Sequence, residues 1–489
     1  EHAGLLPGDT VVDSTGSQSL TAALAEAVHA FVAASPSRVM MVQLEDALGA
    51  VEQANLPGTT GEQPNWRRKL PETLERMRGS ARVVALGKRM SASRPKPPRA
   101  APPGVRQASI PRATYRLQLH RGFDFDAAIA IAPYLARLGV SHVYCSPLLR
   151  ARSDSLHGYD ITHHGEIAPD LGGPEGFARF CTALRDNGLG LLFDMVPNHM
   201  AVMGADNAWW MDVLENGPAS LYARYFDIDW LPANVELAGK VLVPVLGEHY
   251  GVVLASGDLV LVFEPEAGVF AIRYHEHRFP VDPRGYAGLL HRAAELLPAD
   301  FPAVARGELG SLSSAFGHLP GRGVTSAEDI AERSRDKEAH KRRLSGLAAG
   351  HPGLGRAIAS AVAEVNAAGD GGTREALHAL LEAQAYRLSY WRVASDEINY
   401  RRFFDINELA ALRMEDEQVF EATHGFALEL AASGTIDGLR IDHPDGLFDP
   451  AQYFRRLQEG YARRLGTTLA ADGDGGRPAR PLYVLAEKI

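Results

Sequence analysis

Alternating strand-like and helix-like stretches predict an α/β fold for this chain, with parallel strands covered by helices. Three observations carry the prediction. After residue 110 the order is strand Ala113–Leu119, a helix through Leu138, strand His142–Ser146, helix Pro174–Asn187 and strand Gly190–Asp194. The pattern returns late, as strand Ile436–Ile441, helix Pro450–Leu465 and strand Leu482–Ala486. The strands also end in acid, base and amide side chains, in Asp194-Met-Val-Pro-Asn-His199, Asp437-Gly-Leu-Arg-Ile-Asp-His443 and Val484-Leu-Ala-Glu-Lys488. Strands that deliver such groups to one rim form the opening part of a barrel or an open α/β sheet.

In chain order, residues 1–79 form a first unit, with a helix-like stretch Ser19–Ala34, a strand-like Val39–Leu44 and turn chemistry at Leu56-Pro-Gly58. Residues 80–110 read as a semi-rigid linker, because five prolines fall between Arg94 and Gly104 and little there could build a core. Residues 111–200 hold the first strands. The regular spacing breaks after His199, so residues 201–430 are an insertion that needs its own core, β-rich over Val241–Val281 and helical over Ser326–Trp391. Its charged run Glu332–Arg343 reads as a solvated helix face. Residues 431–489 supply the fourth and fifth strands.

With 489 residues and 46% hydrophobic content, the chain can build sizeable cores. Its net charge of -10 offers no basic footprint, so no nucleic-acid partner is expected. Cys145 and Cys181 are its only cysteines, which gives no disulfide framework and suits a cytoplasmic location. No apolar run approaches a membrane span, and no signal peptide is readable.

The chemistry concentrates at the strand ends. A retaining glycoside-bond reaction needs two carboxyl groups about 5 Å apart, one a nucleophile and one an acid. Asp442 and Glu487 are the natural pair. Arg440 shares a strand face with Asp442 and can hold it ionised, whereas Glu487 is the proton donor if burial and a neighbouring charge keep it protonated. The plainer alternative makes each carboxylate a strand-end cap or ion-pair partner. Asp194, Asn198 and His199 supply directional hydrogen bonds of the kind sugar hydroxyls require, and Tyr159 in His157-Gly-Tyr-Asp160 offers an aromatic face. No Asp/Glu cluster forces a metal site, and no cofactor is expected.

The order Gly158-Tyr-Asp160, Asp194-Met-Val-Pro-Asn-His199, Gly438-Leu-Arg-Ile-Asp442 and Glu487 resembles the α-amylase superfamily. More narrowly, Ala113-Thr-Tyr-Arg-Leu-Gln-Leu119, Asn399-Tyr-Arg-Arg-Phe-Phe-Asp405 and Leu439-Arg-Ile-Asp-His443 with Asp445-Gly-Leu447 are similar to the maltooligosyltrehalose synthase family, from about residue 110 onward. That resemblance implies an incomplete (β/α)8 barrel with a large α+β insertion after its third strand. It makes Asp442 the nucleophile, Glu487 the acid/base and Arg440 the residue that orients Asp442. His199 and Tyr159 would contact the sugar whose bond breaks, with Asp194 supporting Arg440 and His443 near the acceptor. The implied substrate is a maltooligosaccharide or glycogen-derived dextrin, whose reducing-end α-1,4 bond becomes an α,α-1,1 bond. Functional coupling to a trehalose-releasing hydrolase would follow. The alternatives are an α-glucan hydrolase using the same carboxylates and a non-catalytic glucan-binding fragment.

The first unit has a different resemblance. Val42-Gln-Leu-Glu-Asp46, Asn55-Leu-Pro-Gly-Thr59 and Pro64-Asn-Trp-Arg-Arg68 are similar to the C-terminal end of a 4-α-glucanotransferase of the amylomaltase type. Asn55 and Pro57 are thereby candidate glucan contacts, against the reading of a simple tight turn. The superfamily's third carboxylate, an Asp after a His on a later strand, has no counterpart after Glu487. The chain is therefore expected to be an internal segment of a larger fusion, with little or no turnover by itself.

Overall fold

The computed structural model describes residues 22–35, 40–50, 52, 55–56, 59, 65, 67–93, 110–369, 374–469 and 480–488. The chain divides into two compact units, Glu1–Ile110 and Pro111–Ile489.

In the first unit, helices Ala22–Ala33 and Ala81–Ser93 pack on one another, the former through buried Ala25, Ala27, Ala30 and Ala33. Two expectations change here. Leu44, read as the end of a strand, instead opens the helix Leu44–Leu48, and Val39 lies outside the described residues. Glu45 and Asp46 suit that helix's first turn, and Gly49 ends it in the left-handed conformation at φ 75°. The linker expected from residue 80 begins with helix Ala81–Ser93, because every proline of that stretch comes later in the chain. Residues 94–109 lie outside the described residues.

The second unit is built on five parallel strands: β1 (Thr114–Leu117), β2 (His142–Cys145), β3 (Gly190–Met195), β4 (Gly438–Ile441) and β5 (Tyr483–Ala486). They lie side by side in sequence order, with Thr114 opposite His142, His142 opposite Gly190, and Gly438 opposite both Leu192 and Tyr483. Sequential order with helical crossovers is barrel topology, and the sheet is open, so the barrel is incomplete. Helices α1 (Phe125–Leu138), α2 (Gly173–Asp186), α3 (Glu417–Ala432) and α4 (Pro450–Arg464) supply the cover. Asp124 caps α1 by accepting the Ala127 N–H at 3.0 Å, and Asp449 caps α4 through Gln452 N–H at 2.9 Å. The strands read as apolar runs because they are covered: Val143, Leu191, Phe193, Leu439 and Ile441 are all buried. Gly438 is required where β4 meets β5, since a Cβ there would sit 2.7 Å from the Tyr483 carbonyl oxygen.

Between β3 and β4 the large insertion has its own core. Strands Val241–Leu246 and Tyr386–Tyr390 pair in parallel, and an antiparallel sheet joins Val260–Glu264, Val269–Tyr274 and His277–Pro280. The insertion returns to the rim through Ile406–Ala411, which pairs antiparallel with His199–Ala201 just after β3. Two expectations are overturned within it. Tyr386–Tyr390, read as the end of a helical stretch, is a strand, because it pairs with Val241–Leu246. The charged run Glu332–Arg343 is not simply a solvated face: Arg333, Lys337 and Lys341 are buried. Their four-residue spacing puts all three on one face of helix Ala327–Gly350. There Lys337 Nζ donates to Asp212 Oδ1 at 2.6 Å and Glu215 Oε2 at 2.5 Å, Lys341 Nζ donates to Glu215 Oε1 at 2.6 Å, and Arg333 pairs with Asp282 at 2.7 Å. Among the described residues, no helix is long and apolar enough to cross a membrane.

Candidate active site

The carboxyl ends of β3, β4 and β5 converge on one guanidinium. Arg440 lies on β4 opposite Asp194 of β3 and Leu485 of β5, so its side chain reaches both neighbouring strand ends. Its Nη1 donates to Asp194 Oδ1 at 3.0 Å and to Asp442 Oδ1 at 2.6 Å, while its Nη2 lies 2.6 Å from Glu487 Oε1. The same-face relation of Arg440 and Asp442 follows from strand alternation. Asp442 and Glu487 thus share the two amino nitrogens of a single fork, which brings the candidate pair to one point of the rim.

Backbone geometry fixes both carboxylates. Asp442 N–H donates to the Met195 carbonyl at 2.9 Å and Glu487 N–H to the Ile441 carbonyl at 3.0 Å. His443 follows in the left-handed region, at φ 43° and ψ 51°. That conformation is uncommon outside glycine, and here it aims the His443 N–H at Glu487 Oε2, 3.0 Å away. Both described polar contacts of the Glu487 side chain are therefore with donors.

Behind Arg440, Asp194 is fully buried and accepts from Tyr159 Oη at 2.8 Å and Tyr144 Oη at 3.0 Å. Arg116 of β1 donates to Tyr159 Oη at 3.2 Å. Burial raises the Asp194 carboxyl above the usual range, and Arg440 opposes that shift. Asp442 is pushed up too, first by burial and then by the Asp194 charge, against the pull of Arg440, with Glu487 adding to the rise. Arg440 alone therefore does not hold Asp442 at an ordinary carboxylate pKa, as its position on the strand suggested. Two charges and burial outweigh one guanidinium.

His199 is buried beside the ring of Phe403, 4.3 Å between centroids, and burial with the nearby His443 lowers its pKa to about 3, so it is neutral at neutral pH. Asn198 is buried as well, and its Oδ1 accepts from Arg401 Nη1 at 3.2 Å. Arg401 comes from the insertion and also donates to the carbonyls of Gly446 at 2.8 Å and Leu412 at 3.1 Å and to Asp227 Oδ2 at 2.8 Å. This guanidinium thus ties the Asn198 amide to the insertion and to the loop after β4. Gly446 must be small there, since a Cβ would lie 2.5 Å from the His443 ring and 2.7 Å from Asn198 Oδ1.

Of the expected site residues, the structure gathers Asp442, Glu487, Arg440, Asp194 and Tyr159 into one bonded cluster, with His443, His199 and Asn198 at its edge. Asn55 lies in the first unit, where Asn65 ties the Leu56 N–H and the Thr59 carbonyl, each at 2.9 Å; Pro57 lies outside the described residues. Sequence reasoning gave no role to five participants, Tyr144, Arg116, Arg401, Phe403 and Phe404. Tyr144 and Arg116 sit on strands already recognised, and alternation alone places Tyr144 on the face opposite the core residues Val143 and Cys145. Phe403 and Phe404 form an aromatic wall with His443, at ring separations of 5.0 and 5.2 Å. Phe404 is 54% exposed and holds φ 48°, so its ring stands open at the rim.

Residues 124–246 match the α-amylase catalytic domain, and residues 8–75 match the 4-alpha-glucanotransferase family. The putative maltooligosyl trehalose synthase of Mycobacterium tuberculosis (strain CDC 1551 / Oshkosh) is 32% identical over 355 residues, 71% of this chain and 33% of that protein. The intracellular maltogenic amylase of Bacillus subtilis (strain 168) is 33% identical over 113 residues, 23% of this chain and 18% of that one. A crystal structure of a maltooligosyl trehalose synthase superposes with a TM-score of 0.50 at 26% identity, covering 78% of this chain and 36% of that one. The chain spans about a third of the length of the maltooligosyl trehalose synthase relatives it matches. From about residue 110 onward it is homologous to the maltooligosyl trehalose synthases of the α-amylase superfamily, and ahead of that lies a segment related to the 4-alpha-glucanotransferases.

Proposed function

We propose that this chain contributes the nucleophile and the acid/base of an intramolecular transglucosylase acting on maltodextrins. The observation that carries the reading is the single Arg440 fork joining Asp442 to Glu487 at 2.6 Å each. Glu487, having taken up the proton that burial favours on Asp442, protonates the oxygen leaving the penultimate glucosyl unit, and the Asp442 carboxylate so formed attacks that unit's anomeric carbon to form a glycosyl ester. The released glucose then turns, Glu487 takes the proton of its anomeric hydroxyl, and that oxygen displaces Asp442 to form the α,α-1,1 bond. Neutral His199, Asn198 and Tyr159 bind the sugar whose bond breaks, and His443 lies on the acceptor side. Phe403 and Phe404 act by keeping water from the ester, because water there would turn isomerisation into hydrolysis.

Domain roles follow the same reading: residues 1–79 are the end of a glucanotransferase domain, 80–110 connect, and 111–489 hold part of a trehalose-forming domain. Residues 1–489 alone turn over little, since five strands build only part of a barrel rim. Cys145 and Cys181 are both buried free thiols, which fits a cytoplasmic protein, and a trehalose-releasing hydrolase is the fitting partner activity. Product analysis tests the proposal in the polypeptide with its barrel complete. Isomerisation removes reducing ends without shortening the dextrin. Creation of reducing ends would make the chain a hydrolase instead, and dextrin binding unchanged by Glu487→Gln without any turnover would make it a binding module.

A further inference from the structure

The insertion carries two adjoining hollows whose linings do not include the carboxylate cluster. The outer one, about 310 Å³, lies against the paired strands Val241–Leu246 and Tyr386–Tyr390 and is lined by His249, Tyr250, Arg387, Ser389 and Tyr390. The inner one, about 530 Å³, is lined by Asp227, Asp229, Ile398 and Arg401. Asn234 and Glu397 wall both, and Asn234 Nδ2 donates to Glu397 Oε2 at 3.4 Å along the sill between them. The inner hollow therefore ends at the same Arg401 that bonds Asn198 and Gly446 at the catalytic rim.

We propose that these hollows form one groove that binds the part of an α-glucan chain remote from the reacting bond; this rests on the dextrin reading above. Three features select that ligand. Aromatic surface lines the outer hollow through Tyr250 and Tyr390, and Trp391, 52% exposed and next to Tyr390 in the chain, extends that surface beyond the lining, with ring centroids 5.9 Å apart and Arg392 over both rings. Such faces stack on the C–H side of sugar rings, whereas the flat polar groups of Asn234, Glu236, Glu397 and His249 match hydroxyls. Carboxylates outnumber cations along the lining, and Arg387 is already paired with Glu236, which disfavours a phosphorylated or otherwise anionic ligand. Among the described residues, no grouping of acidic, histidine or cysteine side chains could hold a metal ion, so a neutral polyol is what the lining fits.

Hydrogen exchange of the 489-residue chain with maltoheptaose, together with calorimetric titration of maltoheptaose and maltose, tests this. Maltoheptaose should protect amides over 229–237 and 386–397, and Trp391→Ala should weaken maltoheptaose about tenfold while leaving maltose unchanged. Trp391 is half exposed, so the variant should keep its fold; if it does not, the footprint on the unmodified chain decides. Maltoheptaose binding with no protection in either segment, and with no effect of Trp391→Ala, would overturn the groove while leaving the dextrin reading in place. Failure of any maltodextrin to bind would instead overturn the reading on which the groove rests.

Discussion

Replacing Arg440 with methionine removes the charge that three carboxylates share and keeps most of the side-chain volume. Asp194 is fully buried and Asp442 nearly so, with Arg440 within 3.0 Å of each, whereas Glu487 is 30% exposed and contributes little through screening. Stripping the partner from a buried ion pair costs about 3–5 kcal/mol, because the remaining charge is left without compensation. The sign of the pH dependence follows from the shifts. Burial already raises Asp194 and Asp442 against Arg440, so removing Arg440 raises both further. A carboxyl whose folded pKa lies above its unfolded value penalises the fold at high pH, and the penalty fades as pH falls toward the unfolded value near about 4. Urea unfolding by circular dichroism should therefore give Arg440→Met a deficit of about 3–5 kcal/mol near pH 7.5 that shrinks steadily on acidification. A deficit below about 1 kcal/mol, or one that stays constant down to about pH 4.5, would refute the argument that Arg440 neutralises this cluster.

Other consequences are independent of that cluster. Arg401→Met leaves Asn198, Asp227 and the Gly446 and Leu412 carbonyls without their shared donor, and should lower thermal stability by about 2 kcal/mol; an unchanged melting temperature would contradict its role in tying the insertion to the rim. Phe404→Ala, at an exposed position, should leave stability within about 0.5 kcal/mol but raise the fraction of dextrin hydrolysed rather than isomerised in the completed barrel; an unaltered product ratio would remove Phe404 from water exclusion. Burial would raise Glu215, but Lys341 and Lys337 hold it down to about 2. Its stabilisation is thus complete above the ordinary glutamate range and is lost as pH falls toward 2. Unfolding scans between about pH 5 and 2 should show Lys337→Met losing this acid-dependent component, and parallel curves for both proteins would contradict it.

How much of this was legible in the sequence depends on how locally each feature is determined. The central strands could be read because β3 and β4 are short apolar runs buried by helices, so composition and burial coincide there, whereas β1 and β5 at the sheet edges are only partly buried. Asp442 and Arg440 could be paired because strand alternation is a local rule. The buried face of helix Ala327–Gly350 could not be read, since Lys337 and Lys341 are inside only because Glu215 and Asp212, more than a hundred residues away in the chain, are there to meet them. Arg401 was hidden for the same reason: its partners come from the ends of β3 and β4 and from the insertion itself. The left-handed His443 is likewise set by the Glu487 contact rather than by any residue preference. Helix Ala81–Ser93 was obscured by prolines that follow it.

The most direct test of the central claim is product analysis of maltopentaose with the polypeptide carrying this chain and the rest of its barrel, beside its Asp442→Asn and Glu487→Gln variants. The account predicts loss of reducing ends at constant chain length for the unsubstituted protein, a fall of at least about 10²-fold for each variant, and little turnover by residues 1–489 alone. New reducing ends, or an unchanged rate in either variant, would contradict it.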